Sequence, residues 1–171
     1  GNTTVEDMML GALNCPFGTG HMGVTAENVA NEYNISREAQ DSFSLESQRR
    51  ASSAIENGYF KEQIVDIEIK KNTFNVDEHP KNTDLESLKS LKSVFMEKGT
   101  VTAGNSSGLN DGAAALVLST ATAAGSNGLK VKAKILGYSH SGVRPEVMGI
   151  GPIIAVKKLL EKTGLCEKDF D

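Results

Sequence analysis

The sequence Thr100-Val-Thr-Ala-Gly-Asn-Ser-Ser-Gly-Leu-Asn-Asp-Gly-Ala-Ala-Ala115 is a turn-rich run that passes directly into a short apolar segment, Ala113 to Leu118. Its glycines Gly104, Gly108 and Gly112 can adopt positive φ at low cost and allow another backbone or a ligand to approach. Its Asn, Ser and Asp side chains can hydrogen bond to nearby backbone groups. The pattern predicts a polar loop that leads into a buried strand. Two interpretations are open: the loop satisfies only its own backbone, or it presents N–H groups and hydroxyls to a polar ligand.

Helical and strand-like patterns alternate along the chain, which is typical of the α/β class. The clearest helix is predicted from Arg37 to about Glu56, because Ser36 is a good N-cap and Asn57-Gly58 is a common C-terminal signal. The other predicted helices are a weak one within residues 1–12, one capped by Thr25 and ending at Tyr33, one opened by Thr83-Asp-Leu-Glu86, one over Ser119–Ala124, and one from Pro152 that Gly164 closes. The predicted strands are Glu62–Lys70, Ala113–Leu118 and Val131–Tyr138.

Burial is predicted from the spacing of apolar and small residues. The strand Glu62–Lys70 alternates with period two and is expected to be half-buried. Three helices are expected to bury one stripe each. The stripe residues are Ala39, Phe43, Ser47, Ala51, Ala54 and Ile55 in the long helix, Leu85, Leu88 and Leu91 in the short one, and Ile153, Val156, Leu159 and Leu160 in the last one.

Composition excludes several classes of protein. The net charge is −4, there is no tryptophan, and no basic patch interleaved with aromatic residues occurs, so we expect no nucleic-acid partner. The longest apolar run is far too short to cross a bilayer, and no basic leader precedes the first apolar residues, so we expect neither a membrane partner nor a signal peptide. Cys15 and Cys166 are too few for a disulfide framework, and the three histidines lack metal-ligand spacing.

Four stretches of the chain resemble the thiolase family. They are the loop Val101–Ala114, the segment Gly20–Ala30, Asp77-Glu-His-Pro80 and Met148-Gly-Ile-Gly-Pro152. The four occur in the family's order, and together they are more specific than any one of them. The resemblance runs from end to end of the 171 residues but covers only the middle of a thiolase. It implies a partial thiolase fold, that is, a fragment of an acyltransferase.

The resemblance also implies how the chain divides. Residues 1–109 are expected to form most of the loop domain that covers coenzyme A (CoA). Residues 110–128 are expected to be the last strand and helix of the N-terminal core half, and residues 129–171 the first strand and helix of the C-terminal half. Because the core strands would be separated from their sheets, we expect these pieces to be poorly ordered, swapped or buried against another chain.

The implied activity is that of an acetyl-CoA acetyltransferase or a 3-ketoacyl-CoA thiolase. A thiolase joins two acyl-CoA molecules, or cleaves a 3-ketoacyl-CoA with free CoA, through a cysteine that becomes acylated. By resemblance the nucleophile belongs before Gly1, and the activating histidine and second cysteine belong after Asp171. We therefore expect no catalytic residue in this chain, no activity of the chain alone, and packed or surface roles for both cysteines. CoA and acetyl-CoA are expected as substrates, with no tightly bound cofactor.

The resemblance implies a CoA-binding site in this chain. Its expected residues are Leu13, His21, Met22, Lys81, Ser87, Leu88, Phe95, Ala103 and Ser107. The Ser107 hydroxyl is expected to bond a pantetheine amide, and the Met22 thioether to form part of an adaptable acyl pocket. Lys81 stands where many family members carry arginine, and lysine stacks poorly on planar rings, so the adenine contact is expected to be weaker. Ser106 adds a hydroxyl where the family commonly has alanine.

Further expectations concern assembly, location and alternatives. Family members are dimers or tetramers, which implies a homo-oligomeric parent in the cytoplasm or in an organelle. One alternative is a non-catalytic module that binds CoA or an acyl carrier, and another is a purely structural interaction domain. The natural full-length polypeptide separates these, because only an enzyme needs the cysteine nucleophile and its base.

Overall fold

Helices and two small antiparallel hairpins make up the computed structural model of the chain, which describes Thr3 and residues 5–170. The helices are α1 (Met8–Leu13), α2 (Met22–Glu32), α3 (Arg37–Glu56), α4 (Leu85–Lys89), α5 (Ala121–Ser126) and α6 (Gly151–Thr163). The strands are β1 (Asn14–Cys15), β2 (Gly20–His21), β3 (Ile67–Ile69) and β4 (Asn72–Phe74), and 3-10 turns cover Pro145–Ile150 and Glu167–Asp169. The mixed α/β class is confirmed. The chain divides into two units, residues 1–110 and residues 111–171.

The first unit begins with α1 and the β1–β2 hairpin. Asp7 caps α1, because its carboxylate accepts hydrogen bonds from the N–H groups of Met9 and Leu10 at 2.9 and 3.0 Å. The weak helix expected within residues 1–12 is therefore present only from Met8 onward, and residues 1, 2 and 4 lie outside the described part. In the hairpin, Asn14 lies opposite His21. The sequence did not predict this hairpin, because two-residue strands are too short to show alternation.

Helix α2 starts earlier than its sequence predicts. The expectation that Thr25 caps it was wrong: His21 is the cap, and its Nδ1 accepts a hydrogen bond from the N–H of Gly23 at 3.0 Å. Thr25 lies in the first turn with 2% of its surface exposed, and its hydroxyl donates to the carbonyl of Met22 at 2.7 Å. An imidazole acceptor therefore takes the place of the more usual hydroxyl.

The bounds of α3 are as predicted, but its buried face is not. Ser36 accepts the N–H of Ala39 at 3.2 Å, and Gly58 after the helix adopts φ of 71°. Phe43, placed in the expected buried stripe, is 79% exposed, whereas Asp41 is 1% exposed. The residues that bond to other segments are polar and helically spaced, namely Arg37, Gln40, Asp41, Ser44 and Gln48. The helix therefore packs through a polar stripe.

The segment between α3 and α4 is more exposed than predicted. The expected half-buried strand Glu62–Lys70 is reduced to β3, which pairs with β4, and all residues of both strands are exposed. Asp84 caps α4, since its carboxylate accepts the N–H of Ser87 at 2.8 Å. Leu88 is buried as expected, but Leu85 and Leu91 are each 37% exposed. Of the three leucines predicted to be buried, only Leu88 is buried.

In the second unit the helices are present and the predicted strands are absent. Neither Ala113–Leu118 nor Val131–Tyr138 forms a strand within the described residues 111–170, and Val117 is 89% exposed. A strand needs a partner for its backbone groups, and none is available in this unit. The predictions of these two strands were therefore wrong.

Helices α5 and α6 lie close to where the sequence predicts them. Thr120 caps α5, accepting the N–H of Ala123 at 3.2 Å, and Gly164 ends α6 with φ of 71°. The expected buried stripe of α6 is wrong, because Ile153 and Val156 are 51% and 49% exposed. Across residues 5–170, no helix has the length and apolarity needed to span a bilayer.

Candidate functional site

The loop of residues 100–107, called here the Thr100 loop, has a bonded inner side and an exposed outer side. Val101 and Thr102 are 7% and 0% exposed. The carbonyl of Val101 accepts the N–H of Val94 at 3.0 Å, and Thr102 forms an antiparallel bridge with Ser93. Ala103 and Ser107, two of the predicted site residues, are exposed on the same loop. The loop therefore presents these two positions from a fixed backbone.

The first group that fixes the Thr100 loop is the carboxylate of Glu27, on α2. Glu27 is 2% exposed. Its oxygens accept the N–H of Thr100 at 2.9 Å and the N–H of Val101 at 2.8 Å. The hydroxyl of Thr100 adds a further bond at 3.0 Å. Hydrogen bonds to an ionised acceptor are worth about 1.5–3 kcal/mol each, so this cluster is a strong constraint on the loop.

The second group is the pair formed by Asn105 of the loop and Asp41 of α3. The Asn105 side chain accepts the N–H of Thr102 at 2.7 Å and donates to the carbonyl of Thr100 at 3.0 Å. The same amide donates to the Asp41 carboxylate at 3.1 Å. Asn105 therefore closes the turn from inside, and Asp41 fixes it to α3.

Arg37 connects the same place to α4. Its Nε donates to Asp41 at 2.7 Å, and its Nη2 donates to the carbonyls of Leu88 and Leu91 at 2.7 and 2.9 Å. These carbonyls lie at or just past the C-terminal end of α4, where a cation is favourable. One ion pair therefore ties the helix that carries Ser87 and Leu88 to the Thr100 loop.

Close packing at Gly104 completes this connection. A Cβ at Gly104 would lie 2.6 Å from both Leu88 Cδ2 and Leu91 Cδ1, so a larger residue there would have to displace these two side chains. The hydroxyl of Ser44 donates to the carbonyl of Gly104. Leu88, with 3% of its surface exposed, thus packs beneath the loop.

Four predicted site residues lie around the start of α2. The rings of His21 and Phe95 stack with their centroids 4.7 Å apart and their planes 23° from parallel. Gly23 lies directly under Phe95, and a Cβ there would overlap the ring. The β1–β2 pairing puts Asn14 opposite His21, so Leu13 and Met22 both flank this end of the hairpin. The structure therefore brings Phe95 next to His21, although the two residues are far apart in sequence.

Lys81 lies in a different place. It is exposed, and its backbone N–H donates to the side chain of Gln48 at 2.9 Å. It lines a shallow groove of about 410 Å³ along α3, together with Arg49 and Glu56. Ser87 is exposed in α4, and the segment 81–83 lies just before that helix. The predicted residues therefore fall into three groups: the His21–Phe95 pair, the Thr100 loop with α4, and the α3 groove.

Sequence reasoning missed several residues that build this site. It gave no role to Glu27 or Asp41, nor to His79, whose ring lies against Gly108 next to Ser107, although Glu27 and His79 lie in two of the stretches that resemble the family. Arg37, Asp41 and Ser44 are spaced so that they lie on one face of α3. This polar face was a usable signal that the helix packs against polar segments. Glu27 offered no comparable local signal.

The charges outside the Thr100 loop are arranged locally. Arg49 and Arg50 hold the pKa of Glu46 down at about 2 through direct hydrogen bonds. The N–H of Ser87 lowers the pKa of Asp84, and Glu86 raises the pKa of Lys89. Cys15 and Cys166 are not joined in a disulfide. Among the residues described, no group of three or more His, Cys, Asp or Glu is arranged to hold a metal ion.

Comparison with known families identifies the family to which this chain belongs. The model described as "Thiolase, N-terminal domain" matches residues 1–122, and the one described as "Thiolase, C-terminal domain" matches residues 129–171. The chain belongs to the thiolase family.

Individual relatives agree with this assignment. The chain is 52% identical over 177 residues to beta-ketothiolase BktB of Cupriavidus necator, covering 100% of this chain and 45% of the relative. It is 48% identical over 177 residues to acetyl-CoA acetyltransferase of Escherichia coli, again covering 100% and 45%. The chain therefore spans about half the length of the curated relatives it matches.

Solved structures agree as well. Human mitochondrial 3-ketoacyl-CoA thiolase in complex with CoA superposes with a TM-score of 0.94 at 42% identity, covering 100% of this chain and 44% of that one. Acetyl-CoA acetyltransferase of Bacillus anthracis gives a TM-score of 0.92 at 44% identity, covering 100% and 45%. The fold is confirmed as a partial thiolase fold.

Proposed function

We propose that this chain supplies the CoA-binding part of an acetyl-CoA C-acetyltransferase, a thiolase that condenses two acyl-CoA molecules or cleaves a 3-ketoacyl-CoA. The observation that carries the proposal is the Thr100 loop, whose inner side is fixed by Glu27 and Asn105 while Ser107 and Ala103 remain exposed. A loop with a preset backbone binds a flexible ligand with less loss of its own conformational freedom. The likeness to a thiolase solved with CoA supports the choice of ligand.

Within this proposal the chain binds and orients its substrate, and the chemistry is done elsewhere. Thiolysis through a cysteine acyl-enzyme needs a thiolate and a base that activates it. We assign those groups to parts of the parent outside these 171 residues. The chain alone is therefore expected to show no turnover, with CoA acting as substrate and not as a bound cofactor. The parent is proposed to be a homo-oligomer of the cytoplasm or of an organelle.

The contacts assigned to the site follow the three groups of residues. Ser107 bonds a pantetheine amide, and Ala103 offers a small side chain beside it. His21 and Met22 lie beside the pantetheine and the acyl pocket, and Leu13 makes an apolar contact with the ligand. Phe95 lies along the adenine and pantetheine groove. Ser87 and Lys81 lie toward the adenine end. Leu88 acts from below, because its side chain is buried under Gly104.

The test is Ser107→Ala in the full-length protein that carries this chain. Loss of one neutral hydrogen bond, about 0.5–1.5 kcal/mol, is expected to raise the KM for the CoA substrate roughly two- to tenfold with little change in kcat. Ser47→Ala is the matched control, since Ser47 is exposed on α3, contrary to its expected place in the buried stripe, and is not among the expected CoA contacts. An unchanged KM for Ser107→Ala would remove Ser107 from the site.

The non-catalytic alternative is tested on the native polypeptide. Antibody capture and intact-mass analysis are expected to give a mass more than twice the 18.2 kDa of this chain, together with thiolase turnover. A native polypeptide that binds CoA without turnover would instead establish the binding-module interpretation.

A further inference from the structure

We infer that Glu27 is a positioning residue for the CoA site, acting through the Thr100 loop on Ser107 and Ala103. The inference rests on the proposed function, because it assumes that these two residues contact pantetheine. Glu27 does not belong to any predicted contact, and it lies on α2 instead of the loop. It therefore acts on the ligand only through the backbone it binds.

The hydrogen bonds of Glu27 all go to the beginning of the loop. Both carboxylate oxygens are used, by the N–H groups of Thr100 and Val101 and by the Thr100 hydroxyl. Thr100 is also the acceptor for the side chain of Gln40 at 2.8 Å. The ion pairs found within residues 5–170 are formed by Asp41, Glu46 and Glu86, and Glu27 takes part in none of them. The buried charge of Glu27 is therefore compensated by the loop itself, and moving the loop would leave that charge without its partners.

Gly99 lets the backbone pass close to the carboxylate of Glu27. A Cβ at Gly99 would overlap Glu27 Oε1 and lie 2.8 Å from its Cδ. Gly99 does not adopt positive φ, so space and not backbone conformation is the reason for glycine here. Residue 99 is thus the point where the chain passes directly over the carboxylate before entering the loop.

Helix α2 links the two walls of the proposed site. Its first residues carry His21 and Met22, with Phe95 stacked on His21 and packed over Gly23. Glu27, which follows Met22 by roughly one and a half turns, binds the Thr100 loop. A helix is stiff over this short distance, so the two contacts together set the spacing between the His21–Phe95 pair and the outer face of the loop. Loss of Glu27 would loosen one of the two walls.

The experiment compares Glu27→Gln, Ser107→Ala and the double variant in the full-length protein. Glutamine keeps the size of the side chain but replaces one acceptor oxygen with an amide N–H, which cannot accept the loop's donors. We expect a rise in the KM for the CoA substrate of roughly three- to tenfold, with kcat changed by less than about twofold. Glu62→Gln, on an exposed residue outside the site, is the matched control.

The double variant separates positioning from general destabilisation. If Glu27 acts through the position of Ser107, removing both is expected to raise KM by less than the product of the single effects. A purely structural role would instead give effects that multiply. An unchanged KM for Glu27→Gln, with a raised KM for Ser107→Ala, would overturn the inference and leave the proposed function standing. An unchanged KM for Ser107→Ala would remove Ser107 from the proposed site and overturn the inference, which assumes that Ser107 contacts pantetheine.

A second variant keeps the test decisive if Glu27→Gln folds poorly. Gly99→Ala displaces the same carboxylate without altering its charge, and it is expected to raise KM in the same way. Gly125→Ala is its control, because a Cβ at that position has no described atom within 4 Å. Folding of every variant is checked by circular dichroism at the assay temperature, and a normal KM in folded Gly99→Ala would contradict the inference.

Discussion

The two units of this chain contrast in how their polar and apolar groups are satisfied. In residues 1–110, buried carboxylates at Glu27 and Asp41 bind backbone and side-chain groups of distant segments. In the described part of the second unit, residues 111–170, only Ala124 and Val147 are buried, and the predicted strands pair with nothing. The comparison teaches that a polar network can fix a loop locally, whereas a strand pattern requires neighbouring strands. The first unit carries the proposed site for that reason.

The largest effect is expected from Asp41→Ala. This change leaves Arg37 without its ion-pair partner and removes the acceptor of the Asn105 amide. Breaking a buried pair on one side costs about 3–5 kcal/mol, and the 21% exposure of Arg37 reduces that to about 2–4 kcal/mol. Urea unfolding followed by circular dichroism measures this loss for the first unit.

Glu46→Ala provides the control for Asp41→Ala. Glu46 lies on the same helix and pairs with Arg49 and Arg50, but at the surface. Surface pairs contribute little, so we expect almost no change in the unfolding midpoint. Equal losses for the two variants would show that the Asp41 network has no special role.

A smaller effect on the free energy of unfolding is expected from removing apolar side chains, and it is expected to differ between the two units. Leu88→Ala removes a side chain that is 3% exposed, and it is expected to cost about 2–3 kcal/mol. Ile153→Ala, on a side chain that is 51% exposed in α6, is expected to be nearly neutral in this chain. Unfolding curves of the two variants check the difference. A large loss for Ile153→Ala would mean that the second unit packs its helix more tightly than its exposure indicates.

The smallest effect concerns acid. Arg49 and Arg50 hold the pKa of Glu46 at about 2, below its ordinary value of 4.5. A carboxyl with a lowered folded-state pKa stabilises the fold above its unfolded value and loses that contribution as pH falls from about 4.5 toward 2. Because these groups are exposed, the effect is small and screened by salt. A carboxyl titration by NMR, repeated for Glu46 at about 1 M salt, is expected to show the pKa moving back up.

Features set by residues close together in sequence could be predicted, whereas features set by contacts between distant residues could not. The ends of α3 and α6 were predictable because Ser36, Gly58 and Gly164 act on their own helix termini. The hydrogen bonds that join Glu27 to Thr100 and Asn105 to Asp41 span 73 and 64 residues, and no local sequence pattern predicts them. The thiolase resemblance identified the loop, but not the groups beneath it.

The failed strand predictions have a related cause. Ala113–Leu118 and Val131–Tyr138 have the composition of buried strands, but that composition describes a surface that fits against neighbours and does not supply them. The same holds for Ile153 and Val156 of α6. These predictions were wrong for the described part of the second unit, because that unit supplies no neighbouring strand or apolar surface against which these residues could be buried.

Hydrogen exchange at individual amides tests the central claim most directly, namely that buried side chains of the first unit fix the Thr100 loop. In the 171-residue chain, the N–H groups of Thr100, Val101 and Thr102 are expected to exchange slowly, because they donate to Glu27 and Asn105. The amides of Leu116, Val117 and Leu118 are expected to exchange at nearly the unfolded rate. Equally fast exchange at both places would contradict the account, because the loop would then have no fixed backbone from which to present Ser107.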